Sequence, residues 1–570
     1  MHKMLPADRQ AALEQAKPAW NPLTLDQALS LAASEWPDNE FVVSERGCFS
    51  YRALDQWVTE LAVGLVSKGV RKGDHVALLM ANYPEFVALK FAIARAGAVA
   101  VPINFMNRRD ELKYVLEQSE AVCLITMDRF RDLNYLDMLD EISPEWSLAN
   151  RLSALPKRPS VFVFSTGNQP LPAGVSTLAD LKGEGDIPKE GDPASVSDII
   201  YTSGTTGGPK GVMLTHDMLL RAAYGSAYAR AFVARQRILF SLPLYHVYGY
   251  VEGLLAALQV GGAVVIQEQF DPDSTLQAID RYKVDDILLI PTMTLALLEQ
   301  LKNKEYPLSS LKSMLSSGGK APETIWEDIY QAFGAIEVTT GYGMTEATAS
   351  STVTRPDDPV SRLKTTNGRL RDVGVAGESS IDGKLVRYRV VDANTNEVLK
   401  ANAIGELRMK GIGVTTGYYN KPEETAAAFD AEGWFRTGDL GVLDEHGYIT
   451  LKGRTKESYR CGGELVLPLE VESVLTAHES IAEAHVVALP DDRMGEVGVA
   501  CIIKQPNADL SEEALAEFCR SRMARFKVPR HFLFLSPEDI PVTPTGRPRK
   551  FLLAQVVPSL LTSESSAEVP

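Results

Sequence analysis

The sequence has no long apolar run, no closely paired cysteines and no excess of positive charge, and each absence excludes a class of protein. The longest apolar stretch, residues 254–266, contains Gln259 and two glycines and is too short to cross about 30 Å of hydrocarbon. The five cysteines are scattered and form no CxxC pair, which predicts free thiols in a reducing compartment. The first residues lack the apolar core of a secretory signal, so we expect a cytoplasmic protein.

The charge balance also limits the partners. Lys and Arg number 58 against 74 Asp and Glu, a formal net charge of −16, which disfavours nucleic acid and anionic lipid as partners. A chain of 570 residues exceeds one compact core and predicts about three to five structural units, which can group into two lobes. From the charge we expect no nucleic-acid partner, and from the short apolar runs we expect no transmembrane segment. The sequence does not determine the oligomeric state, and a homodimer is the assembly that we consider.

Strand-like and helix-like segments alternate over most of the first 450 residues. Residues 75–80, 98–103, 238–242, 263–266 and 286–290 read as strands, and residues 84–97, 251–258 and 292–301 as helices. This alternation predicts an α/β class with parallel strands covered by helices on both faces. A Pro-, Gly- and Ser-rich stretch at 151–197 reads as a long connection, and short strands from about 370 to 452 predict a β-rich subdomain.

A second change of pattern comes at residues 453–456 and predicts a small α+β domain of roughly 115 residues beyond it. A helix is expected at 469–477, strands at 484–489, 498–504 and 530–535, and a further helix capped by Ser511. We expect the tail from residue 561 to fray. The predicted fold is thus a large N-terminal lobe of layered α/β subdomains with a β-rich subdomain, and a small, mobile α+β C-terminal domain.

The strongest local signal is residues 199–213, where a buried strand runs into a stretch made almost entirely of Gly, Ser and Thr. Small residues allow backbone N–H groups to converge on an oxyanion, and Ser203, Thr205 and Thr206 add hydroxyl donors. Lys210 adds a point charge. The spacing fits neither a Walker A loop nor the GxGxxG dinucleotide motif. The composition is that of a loop that binds a polyphosphate.

The stretch 201–210 (YTSGTTGGPK) resembles the phosphate loop of the adenylate-forming superfamily, which includes acyl-CoA synthetases, firefly luciferase and nonribosomal peptide synthetase adenylation domains. Further matches follow in family order: 242–249 (LPLYHVYG), 341–346 (GYGMTE), 434–440 (WFRTGDL), 453–456 (GRTK), 461–470 (CGGELVLPLE) and 541–546 (PVTPTG). They extend from 201 to 546. The chain is therefore identified as a member of the acyl-CoA synthetase branch.

The resemblance implies domain boundaries and a nucleotide site. It implies an adenylation domain at 1–453 that binds ATP and the acid, a hinge at 454–456 and a mobile domain at 457–570. ATP contacts are implied for Thr202, Ser203, Gly204, Thr205, Thr206, Gly207, Lys210, Gly318, Gly319, Tyr342, Gly343, Thr345, Asp439 and Arg454. Mg²⁺ is assigned to Thr206 and Glu346. The residue types fit, since an aromatic ring stacks on a purine, a carboxylate holds ribose hydroxyls, and Mg²⁺ takes a carboxylate with phosphate oxygens.

The resemblance also implies the chemistry, with Lys210, His246, Thr345, Glu346 and Arg547 as catalytic residues. The acid attacks the α-phosphate of ATP and yields an acyl-adenylate and pyrophosphate, a reaction that depends on positioning and charge stabilisation. His246 is expected to orient the acid or gate its pocket, although a lone histidine is often structural. The SxxK pattern from Ser317 lacks the other motifs of a β-lactamase and is set aside.

The second half-reaction is implied at the hinge. The C-terminal domain rotates about Lys456, Gly462 and Gly463 line a channel for coenzyme A, and the thiol displaces AMP. One position departs from the family pattern, because Arg547 stands where a lysine is usual, and the two side chains differ in shape. Either Arg547 bridges the carboxylate and phosphate, or Arg549 or Lys550 substitutes for it, or adenylation is weak.

The sequence favours an ATP- and Mg²⁺-dependent acid:CoA ligase, with a small carboxylic acid, ATP and coenzyme A as its partners. Two alternatives stay open: an adenylating enzyme that loads a carrier protein, and an inactive ATP-binding relative. His246 disfavours amino-acid activation, because relatives of that type place an Asp there. The acid pocket is predicted among Tyr245, Tyr248, Tyr250 and Met344, which suits a medium-chain fatty, alicyclic or aryl acid.

Overall fold

The computed structural model describes residues 4–167, 170–187, 191–202, 209–319, 322, 324–393, 395–506, 508–542 and 548–567. The chain divides into two compact units. The first comprises residues 1–318, 324–387 and 410–433, and the second comprises 319–323, 388–409 and 434–570. Within the described residues, no helix is both long and apolar enough to cross a membrane.

A seven-stranded sheet forms the first layer of the first unit. In spatial order its strands are Glu337–Thr339, Ser313–Ser316, Asp286–Leu289, Arg237–Phe240, Ala263–Ile266, Glu40–Ser44 and Gly47–Ser50. All neighbours are parallel except the last pair, which forms a hairpin. The short apolar runs are buried along their length, as expected of parallel strands covered on both faces.

A six-stranded sheet contains the strand that leads into the Gly/Ser/Thr stretch. Its order is Lys210–Thr215, Val196–Thr202, Val99–Pro102, His75–Leu79, Cys123–Met127 and Ser160–Phe164. The last strand lies inside the segment that we predicted to be a connection, so that prediction was wrong for residues 160–164. The five residues of this edge strand pair in register with Cys123–Met127, and this pairing satisfies the backbone groups on that side despite the surrounding prolines.

Helices cover both sheets, and a third, smaller sheet completes the first unit. The α-helices are Pro6–Ala16, Leu25–Glu35, Tyr51–Ser67, Pro84–Arg95, Arg109–Gln118, Tyr135–Ile142, Trp146–Ala149, His216–Ala229, Ala256–Leu258, Pro272–Arg281, Pro291–Asn303, Ile325–Phe333, Val360–Thr365 and Pro422–Ala428. Residues Tyr248–Leu255 form a π-helix. The third sheet comprises Gly341–Met344, Ala349–Val353 and Arg369–Leu370, and a two-strand ribbon comprises Arg129–Phe130 and Leu133–Asn134.

The described residues of the second unit form two sheets. The first has the strand order Arg387–Val391, Gly405–Lys410, Phe435–Leu443 and Ile449–Arg454. The second has the strand order Glu464–Val466, Tyr459–Cys461, Gly495–Lys504 and Ile481–Asp491. A fifth strand of the second sheet, His531–Phe534, pairs with Gly495–Lys504. Its helices are Pro468–Thr476, Glu512–Arg520 and Lys550–Ala567. Ser511 caps the second helix, accepting the Ala514 N–H at 3.3 Å, as predicted. The last helix was not predicted, and it extends to Ala567, into the segment from residue 561 that we expected to fray. The structure confirms an α/β class with a separate C-terminal domain.

Candidate active site

The two strands that flank the Gly/Ser/Thr stretch form an antiparallel pair. Thr202 lies directly opposite Lys210, so the intervening residues connect the ends of a hairpin. The predicted ligands Ser203, Gly204, Thr205, Thr206 and Gly207 lie outside the described residues. The base of the loop is therefore defined, with Lys210 at one end of the connection and Thr202 at the other.

Contacts from neighbouring segments fix this base. The Tyr114 hydroxyl donates to Pro209 O at 3.0 Å, and the Tyr419 N–H donates to Gly211 O at 2.8 Å. A Cβ at Gly211 would lie 2.6 Å from Ile199 Cγ2, so only glycine fits between the paired strands. Lys210 is thereby held at a defined position at the end of its strand.

The predicted adenine and magnesium motif, residues 341–346, occupies a hairpin and the short helical turn after it. Tyr342 is buried, and its N–H donates to Thr352 Oγ1 at 3.1 Å. Gly343 pairs with Ser350, and a Cβ at Gly343 would lie only 2.0 Å from Ala349 O. Thr345 and Glu346 follow in a buried 3₁₀ turn, Thr345–Ala347. The glycine is required because the two strands approach too closely for any side chain.

A residue that sequence reasoning missed brings the two motifs together. The Tyr418 hydroxyl donates to Glu346 Oε1 at 3.0 Å, and Lys210 Nζ lies 4.9 Å from the centroid of the Tyr418 ring. Burial, with the Glu346 charge, raises the pKa of Tyr418 well above its ordinary value, so its hydroxyl stays protonated. Lys210, at the end of the predicted phosphate loop, and Glu346, the predicted metal ligand, thus both contact the side chain of Tyr418.

The segment around Tyr418 reaches this position by pairing with the loop strand. Met213 N–H donates to Gly417 O at 3.2 Å, and Thr415 Oγ1 donates to Met213 O at 2.7 Å. The Thr415 N–H donates to Glu346 O at 2.8 Å. The signal in the sequence was a Gly-Tyr-Tyr run at 417–419, but nothing in its spacing tied it to either motif.

The motif that contains His246 is fixed by an asparagine. Asn82 donates through Nδ2 to Leu242 O at 2.9 Å and accepts the Leu244 N–H at 2.9 Å. His246 accepts the Tyr248 N–H through Nδ1 at 3.2 Å. Burial lowers the pKa of His246 to about 4, so its imidazole is neutral near pH 7. The side chain is suited to orienting a group by hydrogen bonding, not to supplying a positive charge.

The three tyrosines predicted to line the acid pocket make contacts with different parts of the unit. The Tyr248 hydroxyl lies 2.9 Å from Leu289 O and 3.2 Å from Leu315 O, at the carboxyl ends of two adjacent strands. The Tyr250 ring lies 4.5 Å from Lys90 Nζ, and Tyr245 packs edge-on against a phenylalanine, Phe105, at 5.3 Å.

Tyr248 is the tyrosine that lies beside Gly318. An added Cβ at Gly318 would lie 3.8 Å from the Tyr248 ring, and its φ of +91° suits glycine. Gly318 is exposed just beyond the carboxyl end of the strand Ser313–Ser316, and Gly319, which belongs to the second unit, is also exposed. Ligands of open α/β sheets bind at this edge, and the adenine and acid contacts expected here stay a prediction.

The second unit contains the predicted ribose carboxylate. Asp439 is buried, and its Oδ1 lies 3.1 Å from Arg454 Nε across two paired strands. The Asp439 N–H donates to Thr437 Oγ1 at 3.0 Å. Asp439 and Arg454 therefore form one oriented pair, in which the arginine holds the carboxylate in place.

Lys456, the predicted hinge residue, is exposed two positions beyond that pair. Gly462 and Gly463 form a two-residue hairpin turn with φ values of +62° and +88°, as a type I′ turn requires. Both glycines are exposed. The Gly462 N–H donates to Met494 O at 2.8 Å, which fixes the turn against the adjacent strand.

The residues proposed as substitutes for Arg547 have other contacts. Lys550 Nζ lies 2.5 Å from Glu472 Oε1 and 3.6 Å from Glu457 Oε2. The Arg549 N–H donates to Pro541 O at 2.6 Å. Arg547 itself lies outside the described residues. Because two carboxylates already compensate the charge of Lys550, this lysine is a poor candidate for the bridging cation.

The donor set at Glu346 fits Mg²⁺. This ion is held in proteins by one or two carboxylates together with substrate phosphate oxygens and water. Glu346 provides one buried carboxylate, oriented by Tyr418, next to the base of the phosphate loop. Thr206, the other predicted ligand, lies outside the described residues.

Two family models match the chain. The model described as AMP-binding enzyme matches residues 29–419, and the AMP-binding enzyme C-terminal domain matches 470–547. A medium-chain fatty-acid–CoA ligase of Escherichia coli is 31% identical over 570 residues, covering 98% of this chain and 95% of that protein. A CoA ligase of Rhodococcus jostii for a methyl-dioxo-octahydroindenyl propanoate is 32% identical, covering 94% and 99%.

Solved structures show the same architecture. The o-succinylbenzoate CoA synthetase of Bacillus subtilis, in complex with its acyl-adenylate intermediate, superposes with a TM-score of 0.77 at 26% identity. The match covers 92% of this chain and 97% of that one. The same synthetase with ATP and a magnesium ion gives a TM-score of 0.75 at 26% identity, covering 91% and 97%.

Proposed function

Because the chain belongs to the AMP-binding enzyme family, in its acyl-CoA synthetase branch, we propose that it adenylates an apolar carboxylic acid with ATP and transfers the acyl group to coenzyme A. The family resemblance inferred from the motifs is confirmed, as is the assignment to AMP-forming acid–thiol ligases. The acid, the residue roles and the acceptor are the proposed part.

The observation that carries the proposal is the meeting of Lys210 and Glu346 at Tyr418. A cation at the end of a phosphate loop and a hard carboxylate are the two groups that a magnesium nucleotide needs together. Mg²⁺ bound by Glu346 would neutralise phosphate charge. Lys210 and the loop N–H groups would stabilise the negative charge that develops on the phosphate oxygens.

In the first half-reaction a carboxylate oxygen of the acid attacks the α-phosphorus of ATP. The P–O bond to the β-phosphate breaks, and pyrophosphate leaves with the bonding electron pair. Thr345 would hydrogen-bond the α-phosphate, and neutral His246 would orient the acid. Tyr342 would stack on the adenine, and Asp439, held by Arg454, would accept hydrogen bonds from the ribose hydroxyls.

In the second half-reaction the thiolate of coenzyme A attacks the acyl carbon, and AMP leaves. The domain boundaries implied by the resemblance, with a hinge at 454–456, are part of this proposal. Exposed Lys456 would absorb the backbone rotation, and the Gly462–Gly463 turn would border the channel for the pantetheine arm. A turn without side chains admits a narrow, flexible arm.

The proposed acids are medium-chain, alicyclic or aryl. Tyr248 and the side-chain-free surface at Gly318 provide an apolar floor at the strand ends. Relatives named for medium-chain fatty acids and for a bicyclic propanoate support this range. For the bridging cation we favour Arg547, since Lys550 is already paired with Glu472 and Glu457.

The test is an assay of the purified full chain with ATP, Mg²⁺ and a panel of straight-chain, alicyclic and aromatic acids. We expect acid-dependent ATP–pyrophosphate exchange, and AMP release once coenzyme A is added. A chain that exchanges pyrophosphate but uses only an acyl carrier protein as acceptor would support the alternative function. No exchange with any acid would refute the proposal.

A further inference from the structure

A group of buried charges lies next to the acid motif, residues 242–249, outside the residues assigned above to ATP, Mg²⁺ and the acid. Glu252, in the π-helix Tyr248–Leu255, is 1% exposed. Arg371 Nη1 lies 2.9 Å and 3.2 Å from its two carboxylate oxygens. Burial alone would raise the pKa of Glu252, but Arg371 and the neighbouring hydrogen bonds outweigh it and hold that pKa below its ordinary value. Glu252 is therefore an ionised carboxylate inside the protein.

The carboxylate is also attached to the hairpin of the adenine motif. Glu252 Oε1 accepts the Ser350 N–H at 2.9 Å. Ser350 lies opposite Gly343, and a Cβ at Gly343 would lie 2.5 Å from Ser350 Cα. Because these strands pack so closely, the position of Ser350 determines that of Gly343, next to Tyr342.

The other side of Glu252 is attached to the acid motif and the main sheet. Arg230 Nη1 donates to Glu252 O at 3.1 Å, and Arg230 is ion-paired with Asp286 at the start of a central strand. Gly249, the last residue of the acid motif, belongs to the same π-helix and lies so close to the first residue of the motif that a Cβ would be 2.7 Å from Leu242 O. The helix therefore cannot shift without moving the acid motif.

We propose that Glu252 is a positioning residue. It fixes the hairpin formed by Gly341–Met344 and Ala349–Val353 relative to the acid motif, so that the carboxylate of the substrate acid approaches the α-phosphate of ATP in line. The inference rests on the proposed function, since it assigns the acid and the nucleotide to these motifs. Two reactants held by separate elements need a rigid connection, because a misplacement of about 1 Å costs on the order of 100-fold in rate.

The test compares Glu252→Asp with the parent in ATP–pyrophosphate exchange. Asp keeps the charge but is one methylene shorter, so it cannot reach Arg371 and the Ser350 N–H together. We expect kcat to fall about 100-fold while KM for ATP and for the acid changes less than about threefold. Glu252→Gln, which keeps the reach and loses the charge, is expected to retain more activity than Glu252→Asp.

The matched control is Asp55→Asn, which alters a carboxylate 2.5 Å from Arg95 elsewhere in the same unit. It is expected to leave kcat unchanged. A parent enzyme without exchange on any acid would refute the proposed function, whereas an active parent with an unimpaired Glu252→Asp variant would refute this inference alone. A raised KM with unchanged kcat would also refute it. Should Glu252→Asp not fold, Arg371→Lys gives the same comparison.

Discussion

Tyr418 donates its hydroxyl hydrogen to Glu346 at 3.0 Å while its ring lies 4.9 Å from Lys210 Nζ. We expect Tyr418→Phe to keep the ring and remove the hydrogen bond to the carboxylate. A hydrogen bond to a charged group contributes about 1.5–3 kcal/mol, so kcat for pyrophosphate exchange should fall about tenfold or more. The Mg²⁺ concentration for half-maximal exchange should rise.

Tyr419→Phe is the matched control for this change. The Tyr419 hydroxyl donates to Glu120 at 2.9 Å and has no described contact with Glu346. The same atom is removed from the neighbouring residue, so the Mg²⁺ dependence should match that of the parent. An equal effect of both variants would contradict a specific role for Tyr418.

A second prediction concerns pH. Burial lowers the pKa of His246 to about 4 from an ordinary value of 6.5, so the unfolded chain binds more protons than the folded one between these values. Because of this difference, the free energy of unfolding has its full value above about pH 6.5. It decreases as the pH falls toward 4, by at most about 3 kcal/mol. Urea unfolding at pH 7 and pH 5 should show a loss that His246→Asn reduces. His446→Asn, at an exposed position, should leave the loss as in the parent.

The fold could be predicted from the sequence where the apolar pattern was strong and local. The strand expected at 263–266 matches Ala263–Ile266, and the segment expected at 286–290 is the buried strand Asp286–Leu289. The strand Ser160–Phe164 was missed because prolines and glycines surround it and because its partner, Cys123–Met127, is distant in sequence. The final helix was missed because it contains Pro558 and ends in a polar tail.

The residues of the candidate site were also only partly predictable from the sequence. Motif residues such as Lys210 and Glu346 could be named from local composition and family order. Tyr418 and Glu252 could not, since their roles depend on pairing between segments more than 70 residues apart in sequence: Glu346 lies 72 positions from Tyr418, and Ser350 lies 98 positions from Glu252. Long-range contacts of this kind leave no periodic signal.

Arg547 provides a third prediction. Arg547→Ala should slow pyrophosphate release far more than the conversion of supplied acyl-adenylate to the thioester, because this loop is expected to act only in the first half-reaction. Arg547→Lys should retain most of the activity, since it keeps the positive charge. Equal losses in both half-reactions would contradict the assignment.

The Lys550→Met variant tests whether Lys550, instead of Arg547, bridges the acid and the phosphate. Lys550 is mostly buried against Glu472, and breaking a buried pair by removing one partner costs about 3–5 kcal/mol. We therefore expect a lower unfolding midpoint in urea, with the ratio of the two half-reactions unchanged. A selective loss of adenylation in Lys550→Met would transfer the bridging role from Arg547 to Lys550.

The last prediction concerns the turn at Gly463, where φ is +88° and no atom lies within 4 Å of an added Cβ. Gly463→Ala places a methyl group in open space, with a backbone strain of about 1–2 kcal/mol. If the turn borders the path of the pantetheine arm, thioester formation from supplied acyl-adenylate should slow while pyrophosphate exchange stays at the parental rate. Gly447→Ala introduces a comparable strain in another turn of the second unit, where φ is +81°, and should change neither half-reaction. Parallel losses in both alanine variants would assign the effect to strain and remove Gly463 from the channel.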